Sequence, residues 1–291
     1  MIQKSDIGNQ KSEVSGGFRF SGSDSRIRIL GIVNITEDSF SDGGRYLSAE
    51  AAITHARRLA ADGAAVIDLG GAASNPDAKP VAPEVEIARL APVVAALKRD
   101  GIAVSVDSFS PQVQRWALDE NVDYLNDIRG FPEPALYPAL AASPAKLIVM
   151  HAVDGAATRA EVASGDIMAH LLTFFERRIA ALAAAGIARE RLILDPGMGF
   201  FLGALPETSF AVLRGLSELK RAFALPVLVS VSRKSFLRRL IGRNAAQSGP
   251  ASLAAELFAA EQGADYIRTH EPGALRDALL VLGAATSCNA T

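Results

Sequence analysis

The chain has 291 residues, 49% of them hydrophobic, with 30 Lys and Arg against 32 Asp and Glu and a formal net charge of −2. This balance is typical of a folded globular protein and argues against a nucleic-acid surface, which needs a basic excess. The single cysteine, Cys288, excludes an intrachain disulfide and a zinc site built on several cysteines. Since no apolar run is long enough to span a bilayer, we expect no membrane partner.

The two ends of the chain differ in composition from the rest. Residues 1–26 are polar and rich in Ser and Gly, and they lack the apolar segment of a secretory signal. We predict a flexible N-terminal extension there, with a binding arm as the alternative. Residues 286–291 are predicted to fray. No Pro- and Gly-rich linker divides residues 27–285, which are predicted to form one domain.

Between the ends, short β-branched runs alternate with loops and amphipathic segments rich in Ala and Leu. The predicted strands cover residues 27–33, 65–69, 102–106, 124–125, 146–150, 191–194, 227–231 and 266–268. The predicted helices cover residues 49–61, 83–99, 111–119, 166–185, 207–222 and 253–262. Strands that are apolar throughout are typical of a parallel sheet covered on both faces. The pattern predicts an α/β fold, a (β/α)₈ TIM barrel, with an open doubly wound sheet as the alternative.

Polar or charged side chains stand at the end of every predicted strand. They are Asn34, Asp68, Asp107, Asn126 with Asp127, His151, Asp195, Ser232 with Arg233 and Lys234, and Arg268 with His270. The carboxyl ends of parallel strands meet at one rim, where barrels carry their active sites. Any one of these residues could serve a turn, but eight together favour a site because buried charges are costly.

The residue types at this rim indicate two kinds of ligand. The basic residues after the last two strands, and the polar loop over residues 39–45, suit an anion such as phosphate. The acceptors Asp107, Asn126 and Asp195 suit the N–H donors of a heterocycle, although they would also serve as metal ligands or an acid–base pair. The chain has no HExxH motif, no GxGxxG after the first strand and no Ser-centred elbow.

Seven segments, read in order, resemble the dihydropteroate synthases. They are GIVNITEDSFSDGG at 31–44, SVDS at 105–108, NDI at 126–128, VMH at 149–151, DPGMGF at 195–200, SRKSF at 232–236 and RTH at 268–270. The resemblance covers residues 30–278 and implies a cytoplasmic transferase of folate biosynthesis. This family condenses (7,8-dihydropterin-6-yl)methyl diphosphate with 4-aminobenzoate to give 7,8-dihydropteroate and pyrophosphate.

The resemblance also implies a role for each matching residue and a homodimer. The pterin would be held by Asp107, Asn126, Met150, Asp195 and Lys234. The diphosphate would be held by Asn34, Ser74, Arg268 and His270, with Mg²⁺ on Asn34. The aminobenzoate would contact Phe200, Phe201, Ser232 and Lys234. Asp107, Asp195 and Lys234 would be catalytic: the carboxylates face positive charge on the pterin methylene, while Arg268, His270 and Mg²⁺ stabilise the departing diphosphate.

Two loops depart from the usual pattern of this family. Ala72 and Asn75 stand where most members have Glu and Arg, although Ser74 keeps a hydroxyl. The loop over residues 199–206 is about two residues longer and lacks a lysine. Both changes resemble the sulfonamide-resistance branch, so we predict sulfonamide insensitivity. Our hypothesis is that Phe200 or Phe201 clashes with the bulkier drug while admitting the planar carboxylate of the substrate. Simple packing of the loop is the alternative.

Two other functions stay open at this point. A corrinoid-linked pterin methyltransferase would share the pocket of two aspartates and an asparagine, but its substrate has no diphosphate to occupy the basic residues. A non-catalytic pterin-binding paralogue is suggested by the altered loop at Ala72 and Asn75. Pyrophosphate release that requires Mg²⁺ and both substrates would separate these alternatives from a synthase.

Overall fold

The computed structural model describes residues 27–35, 45–161, 165 and 167–287. Its strands are β1 (Arg28–Asn34), β2 (Val66–Gly70), β3 (Val104–Asp107), β4 (Tyr124–Asp127), β5 (Lys146–Met150), β6 (Leu192–Asp195), β7 (Leu228–Val229) and β8 (Tyr266–Thr269). They pair in parallel in the order β6-β5-β4-β3-β2-β1-β8-β7. A parallel bridge between Leu194 and Val227 joins the two edges. The sheet is a nearly closed barrel, so the predicted TIM barrel is confirmed and the open doubly wound sheet is excluded.

The helices lie between the strands and cover the outside of the barrel. They are α1 (Arg45–Ala61), α2 (Pro83–Arg99), α3 (Pro111–Asp119), α4 (Tyr137–Ala142), α5 (Ile167–Ala184), α6 (Pro206–Phe223), α7 (Ser235–Ile241), α8 (Gly249–Glu261) and α9 (Pro272–Ser287). The predicted helices over 83–99 and 111–119 have the observed bounds. The sequence analysis missed α4, α7 and α9. The first two are one to two turns long, which is too short for a periodic pattern to stand out.

An apolar floor inside the barrel explains why the polar rim residues converge. The floor consists of Leu30, Val66, Tyr124, Ile148, Ile193, Leu228 and Tyr266. Side chains alternate along a strand, so the residue two positions after each floor residue also faces the barrel axis. By this rule Asp68 stands above Val66, Asn126 above Tyr124 and Arg268 above Tyr266. The residues between them pack outward against the helices, where the larger core lies.

Several predictions concern segments outside the described residues. These are the N-terminal extension over 1–26, most of the loop over 39–45 and the end of the chain beyond Ser287. Helix α9 reaches Ser287, two residues past the predicted end of the domain. Among the described helices, none combines the length and the hydropathy that crossing a bilayer requires.

Candidate active site

Two joined cavities occupy the carboxyl ends of the strands. The outer cleft has a volume of about 520 Å³, and the predicted residues that line it are Asn34, Ser74, Asp107, Ser232, Lys234, Arg268 and His270. A narrower inner pocket shares Ser74, Asp107, Lys234 and Arg268 with the cleft and continues to Asn126, Met150, Asp195 and Phe201. The structure therefore brings together every residue predicted to bind substrate or metal except Phe200. Three other strand-end residues, Asp68, Asp127 and His151, are buried and line neither cavity.

The two neighbouring aromatics have different surroundings. Phe201 is 6% exposed and packs with Ile128 and Met150. Its ring lies 4.8 Å from Nζ of Lys234. Phe200 instead lines a separate surface pocket, and the guanidinium of Arg159 lies 5.2 Å from its ring. Both aromatics follow β6 in a short 3₁₀ turn (Gly199–Leu202). Consecutive side chains of such a turn are about 120° apart, so the two rings point in different directions.

Arg268 is held by two buried ion pairs. Its Nε donates to Oδ2 of Asp68 at 2.5 Å, and its Nη2 donates to Oδ2 of Asp107 at 2.8 Å. Burial alone would lower the pKa of Arg268, but the two carboxylates outweigh it and the net shift is upward. The role of Asp68 was missed by the sequence analysis, which noted it only at a strand end. Its place two residues after the floor residue Val66 was the available signal.

The two aspartates predicted to be catalytic are harder to ionise than ordinary carboxyl groups. Desolvation raises the pKa of Asp195 to about 6, although the N–H of Gly197 and the charge of Lys234 act in the opposite direction. That N–H lies 2.8 Å from Oδ1 of Asp195. Desolvation also raises the pKa of Asp107 to about 7, opposed chiefly by Arg268. The protonation state of the site therefore changes near neutral pH.

Burial lowers the pKa values of two basic residues of the cleft, Lys234 and His270. Burial lowers the pKa of Lys234 to about 8, with Arg268 acting in the same direction and Asp195 and Asp107 opposing it. Lys234 thus carries its predicted charge at pH 7 but loses it in mild alkali. Burial lowers the pKa of His270 to about 3, so its imidazole is neutral. Its Nδ1 lies 2.9 Å from Oγ of Ser232.

Unpaired acceptors line the inner pocket. Oδ1 of Asn126 and Oγ of Ser230 are buried and have no hydrogen-bond partner among the described residues. An unpaired buried acceptor is costly unless a ligand supplies the missing donor. By contrast, the neighbouring Asp127 is saturated, because it accepts from Gln114 and from two backbone N–H groups. Asn126 therefore has a free acceptor to offer a ligand, whereas Asp127 supports the loop that follows β4.

The residues around Asn34 fit Mg²⁺ only if the ion enters the cleft together with a phosphate-bearing ligand. Asn34 lies at the exposed end of β1, with Oδ1 3.2 Å from the place where a Cβ on Gly70 would stand. Across the described ranges, no cluster of three or more His, Cys, Asp or Glu side chains could hold a metal. Mg²⁺ needs few protein ligands when phosphate oxygens and water complete its shell. One amide oxygen beside an anion cleft meets that need.

Comparison with known proteins agrees with this geometry. The pterin binding enzyme family matches residues 30–270. Dihydropteroate synthase type-2 of Escherichia coli is 65% identical over 257 residues, covering 88% of this chain and 95% of its own. Dihydropteroate synthase type-3 of the same species is 52% identical over 256 residues, which cover 87% of this chain and 97% of that relative.

Solved structures show the same fold with ligands bound. A structure of Xanthomonas albilineans dihydropteroate synthase with 4-aminobenzoic acid has a TM-score of 0.83 and 36% identity, covering 90% of this chain and 94% of its own. The chain belongs to the pterin binding enzyme family. Within that family its relatives place it among the dihydropteroate synthases, as the motifs predicted.

Proposed function

We propose that the protein condenses (7,8-dihydropterin-6-yl)methyl diphosphate with 4-aminobenzoate to give 7,8-dihydropteroate and pyrophosphate. The observation that carries this proposal is the joining of two cavities of different chemistry. Asp107, Asn126 and Asp195 give the inner pocket acceptors for a heterocycle, and Arg268 and His270 give the adjoining cleft donors for an anion. A related X. albilineans enzyme, 34% identical, has been solved in complex with 7,8-dihydropteroate.

The reaction exchanges one bond at the pterin methylene carbon. The C–O bond to the diphosphate breaks, its electron pair leaves with pyrophosphate, and the arylamine nitrogen forms the new C–N bond and then loses a proton. Positive charge on the pterin develops beside Asp107 and Asp195, whose ionised forms stabilise it in a desolvated pocket. The arylamine attacks as a neutral group, so the site needs no strong base. Lys234 lines both cavities and can donate to either substrate.

The diphosphate end uses the donors of the outer cleft. The two ion pairs of Arg268 occupy Nε and Nη2 and leave Nη1 for a diphosphate oxygen. His270 contributes a neutral N–H, and Ser74 a hydroxyl. We propose Mg²⁺ as the cofactor with Asn34 as its protein ligand; when bound, the ion would neutralise charge on the leaving group.

Pyrophosphate release tests the proposal. It should require Mg²⁺ and both substrates, and Asn126→Leu, which keeps the size of the side chain, should lower kcat/KM by about tenfold or more through the lost hydrogen bond. Absence of release from the wild-type protein with both substrates present would reject the synthase and favour the non-catalytic paralogue. The corrinoid-linked methyltransferase is disfavoured by the relatives, which are dihydropteroate synthases.

We propose that the enzyme is insensitive to sulfonamides and that Phe201 provides the discrimination. Phe201 lines the inner pocket beneath Lys234, whereas Phe200 faces another pocket. This narrows the hypothesis drawn from the sequence to one aromatic. A rigid ring at that wall admits a flat carboxylate more easily than a tetrahedral sulfonyl group that carries a further substituent.

We also propose that two copies of the chain associate through an apolar groove between α6, α7 and α8. The groove has a volume of about 460 Å³, and its lining is apolar except for Arg214; the other lining residues are Phe210, Leu213, Leu237, Leu240, Ala251, Ala254, Ala255 and Phe258. Leu240 is 65% exposed and Phe258 36% exposed. Exposed apolar surface of this kind is costly in water unless a partner covers it. A cytoplasmic location stays a prediction from the sequence.

A further inference from the structure

Three arginines line a surface cavity of about 410 Å³ that adjoins the outer cleft. They are Arg159, Arg238 and Arg239, and the other lining residues are Phe200, Ala204 and Ser235. No Asp or Glu of the described residues lines this cavity, which we call the arginine pocket. Arg238 also lines the outer cleft, and it is the one described residue that the two linings share. Arg238 therefore stands where the outer cleft meets a cationic pocket.

The three guanidinium groups of the arginine pocket differ in their partners. Arg159 forms an ion pair with Asp77. Nη1 of Arg239 donates to the carbonyl oxygen of Ala204 at 3.1 Å. By contrast, Nε of Arg238 is buried and has no hydrogen-bond partner in the part of the chain that the structure describes. A buried donor without a partner is costly unless a ligand supplies the acceptor, so this atom indicates a bound anion.

Arg238 lies one helical turn after Lys234. The backbone N–H of Arg238 donates to the carbonyl oxygen of Lys234 at 3.2 Å, so the two residues have the spacing of neighbours on one helix face. The Cβ atoms of such a pair are about 6 Å apart. This separation is close to the span of a benzene ring with substituents in the para positions. Lys234 lines the inner pocket and the outer cleft, so it stands at the reacting end of this span.

The turn after β6 packs directly against the start of α7. A Cβ on Gly199 would lie 2.9 Å from Oγ of Ser235 and 3.3 Å from Cβ of Lys234. The same turn places the ring of Phe201 4.8 Å from Nζ of Lys234. An aromatic acid whose amine end enters beside Phe201 and Lys234 would therefore direct its carboxyl end along α7 towards Arg238.

The loop after β2 lacks the cation that most members of the family carry there. Asn75 stands at that position, and Asn75 and Arg238 both line the outer cleft. Helix α7 thus supplies this cleft with a positive charge that the loop has lost. The donors proposed for the diphosphate, Arg268 and His270, come instead from β8 and the residue that follows it. Arg238 is therefore available for the second substrate.

We propose that Arg238 binds the carboxylate of 4-aminobenzoate and thereby selects an anionic arylamine. The inference rests on the proposed function, which places the arylamine beside Phe201 and Lys234. A guanidinium donates charge-assisted hydrogen bonds to a carboxylate, and an uncharged carboxamide in the same place forms only weaker ones. Arg238 was not among the residues that the sequence predicted for this substrate, because it lies outside the matching motifs.

The first experiment compares 4-aminobenzoate with 4-aminobenzamide as substrates of the wild type, Arg238→Met and Arg238→Lys. The ratio of the two kcat/KM values should fall by about thirtyfold in Arg238→Met, through a higher KM for the carboxylate alone. Arg238→Lys should restore most of the ratio because it restores the charge. Arg239→Met is the matched control, since this neighbour lines only the arginine pocket and already donates to Ala204. An unchanged ratio in Arg238→Met would overturn the proposal, as would an equal loss with both substrates, which would indicate a purely structural role.

The second experiment separates the carboxylate from the diphosphate and needs no catalysis. In Arg238→Met the Kd for inorganic pyrophosphate with Mg²⁺ should stay within about twofold of the wild-type value. Calorimetry with 6-hydroxymethyl-7,8-dihydropterin present should give the wild type a lower Kd for 4-aminobenzoate than for 4-aminobenzamide, and Arg238→Met should lose this preference. Weaker pyrophosphate binding with an unchanged preference would assign Arg238 to the leaving group and reject the inference. Missing pyrophosphate release from the wild type would reject only the proposed function, because the two Kd values would still report the role of Arg238.

Discussion

Arg268 on β8 and Asp68 on β2 form an ion pair of 2.5 Å although 200 positions separate them in the chain. Strand β1 lies between β8 and β2 and pairs with both, so this contact crosses β1 inside the barrel. The second ion pair of Arg268, with Asp107, extends the link to β3. One guanidinium thus connects three strands and sets the boundary between the inner pocket and the outer cleft.

Removal of this guanidinium should destabilise the fold. Arg268→Met leaves two carboxylates without a cation, one of them fully buried, and should lower the free energy of unfolding by about 3 kcal/mol or more. Asp68→Asn should lower the free energy of unfolding by less, because it removes the buried negative charge and keeps the shape of the side chain. Urea denaturation of both variants measures the difference. Arg57→Met is the control: the Arg57–Asp100 pair has a similar distance of 2.7 Å but lies on the surface, where such pairs contribute little. A smaller loss for Arg268→Met than for Arg57→Met would contradict this account.

The rate should have a bell-shaped dependence on pH. Asp195 and Asp107, with pKa values raised to about 6 and about 7, are protonated in acid and cannot then balance the pterin cation. Activity should therefore rise with pH through this range. It should fall again as Lys234, with its pKa lowered to about 8, loses its proton. The measurement is kcat/KM between pH 5 and about pH 10 in a constant-ionic-strength buffer series. In Lys234→Arg the alkaline decrease should disappear, whatever the remaining rate, and its persistence would assign that limb to another group.

Asp195→Asn should stabilise the protein while it impairs the reaction. The folded-state pKa of about 6 lies above 3.8, the ordinary pKa of an aspartate, so the ionised carboxyl destabilises the fold at pH 7. This penalty amounts to up to about 3 kcal/mol and vanishes as the pH falls through 6 towards 3.8. Thermal unfolding at pH 7.5 and pH 4.5 should show a larger gain for the variant at the higher pH. An equal gain at both values would show that the charge of Asp195 is not the cause.

Phe201 and Phe200 form a matched pair for testing drug discrimination. Phe201→Ala should open the wall of the inner pocket and lower the inhibition constant for sulfamethoxazole by about tenfold or more, with a much smaller change in the KM for 4-aminobenzoate. Phe200→Ala should leave both constants near the wild-type values because Phe200 faces the pocket of Arg159. Steady-state inhibition assays give both numbers. Equal changes in the two constants for Phe201→Ala would instead indicate that this ring only packs the loop.

The apolar groove should govern association between two copies. Leu240→Glu places a charge at the most exposed large apolar side chain of the groove and should convert dimers into monomers. Val281→Glu on α9 is the control, since Val281 is 68% exposed but lies outside the groove. Sedimentation velocity across a concentration series measures the oligomeric state. Identical behaviour of the two variants would remove this groove as the interface.

Much of the fold was predictable because it depends on local patterns. The strand over 146–150 and the helix over 83–99 were predicted with their observed bounds, since each is a continuous run with one periodicity and a clear boundary. The short helix α7 was not predictable in the same way. Its seven residues follow the Ser-Arg-Lys motif and present too few turns for a pattern.

The sequence by itself determined the order of the eight strands, six of the helices that cover them and the polar residue at the end of each strand. Alternation along β3, β4 and β6 places Asp107, Asn126 and Asp195 on the face of the barrel axis, because each stands two or four positions after a residue of the apolar floor or beside it. Only the tertiary structure decided that Asp68 pairs with Arg268 and that Phe201 rather than Phe200 lines the inner pocket. Those contacts depend on the closure of the barrel and on desolvation, which bring together residues that no local pattern relates.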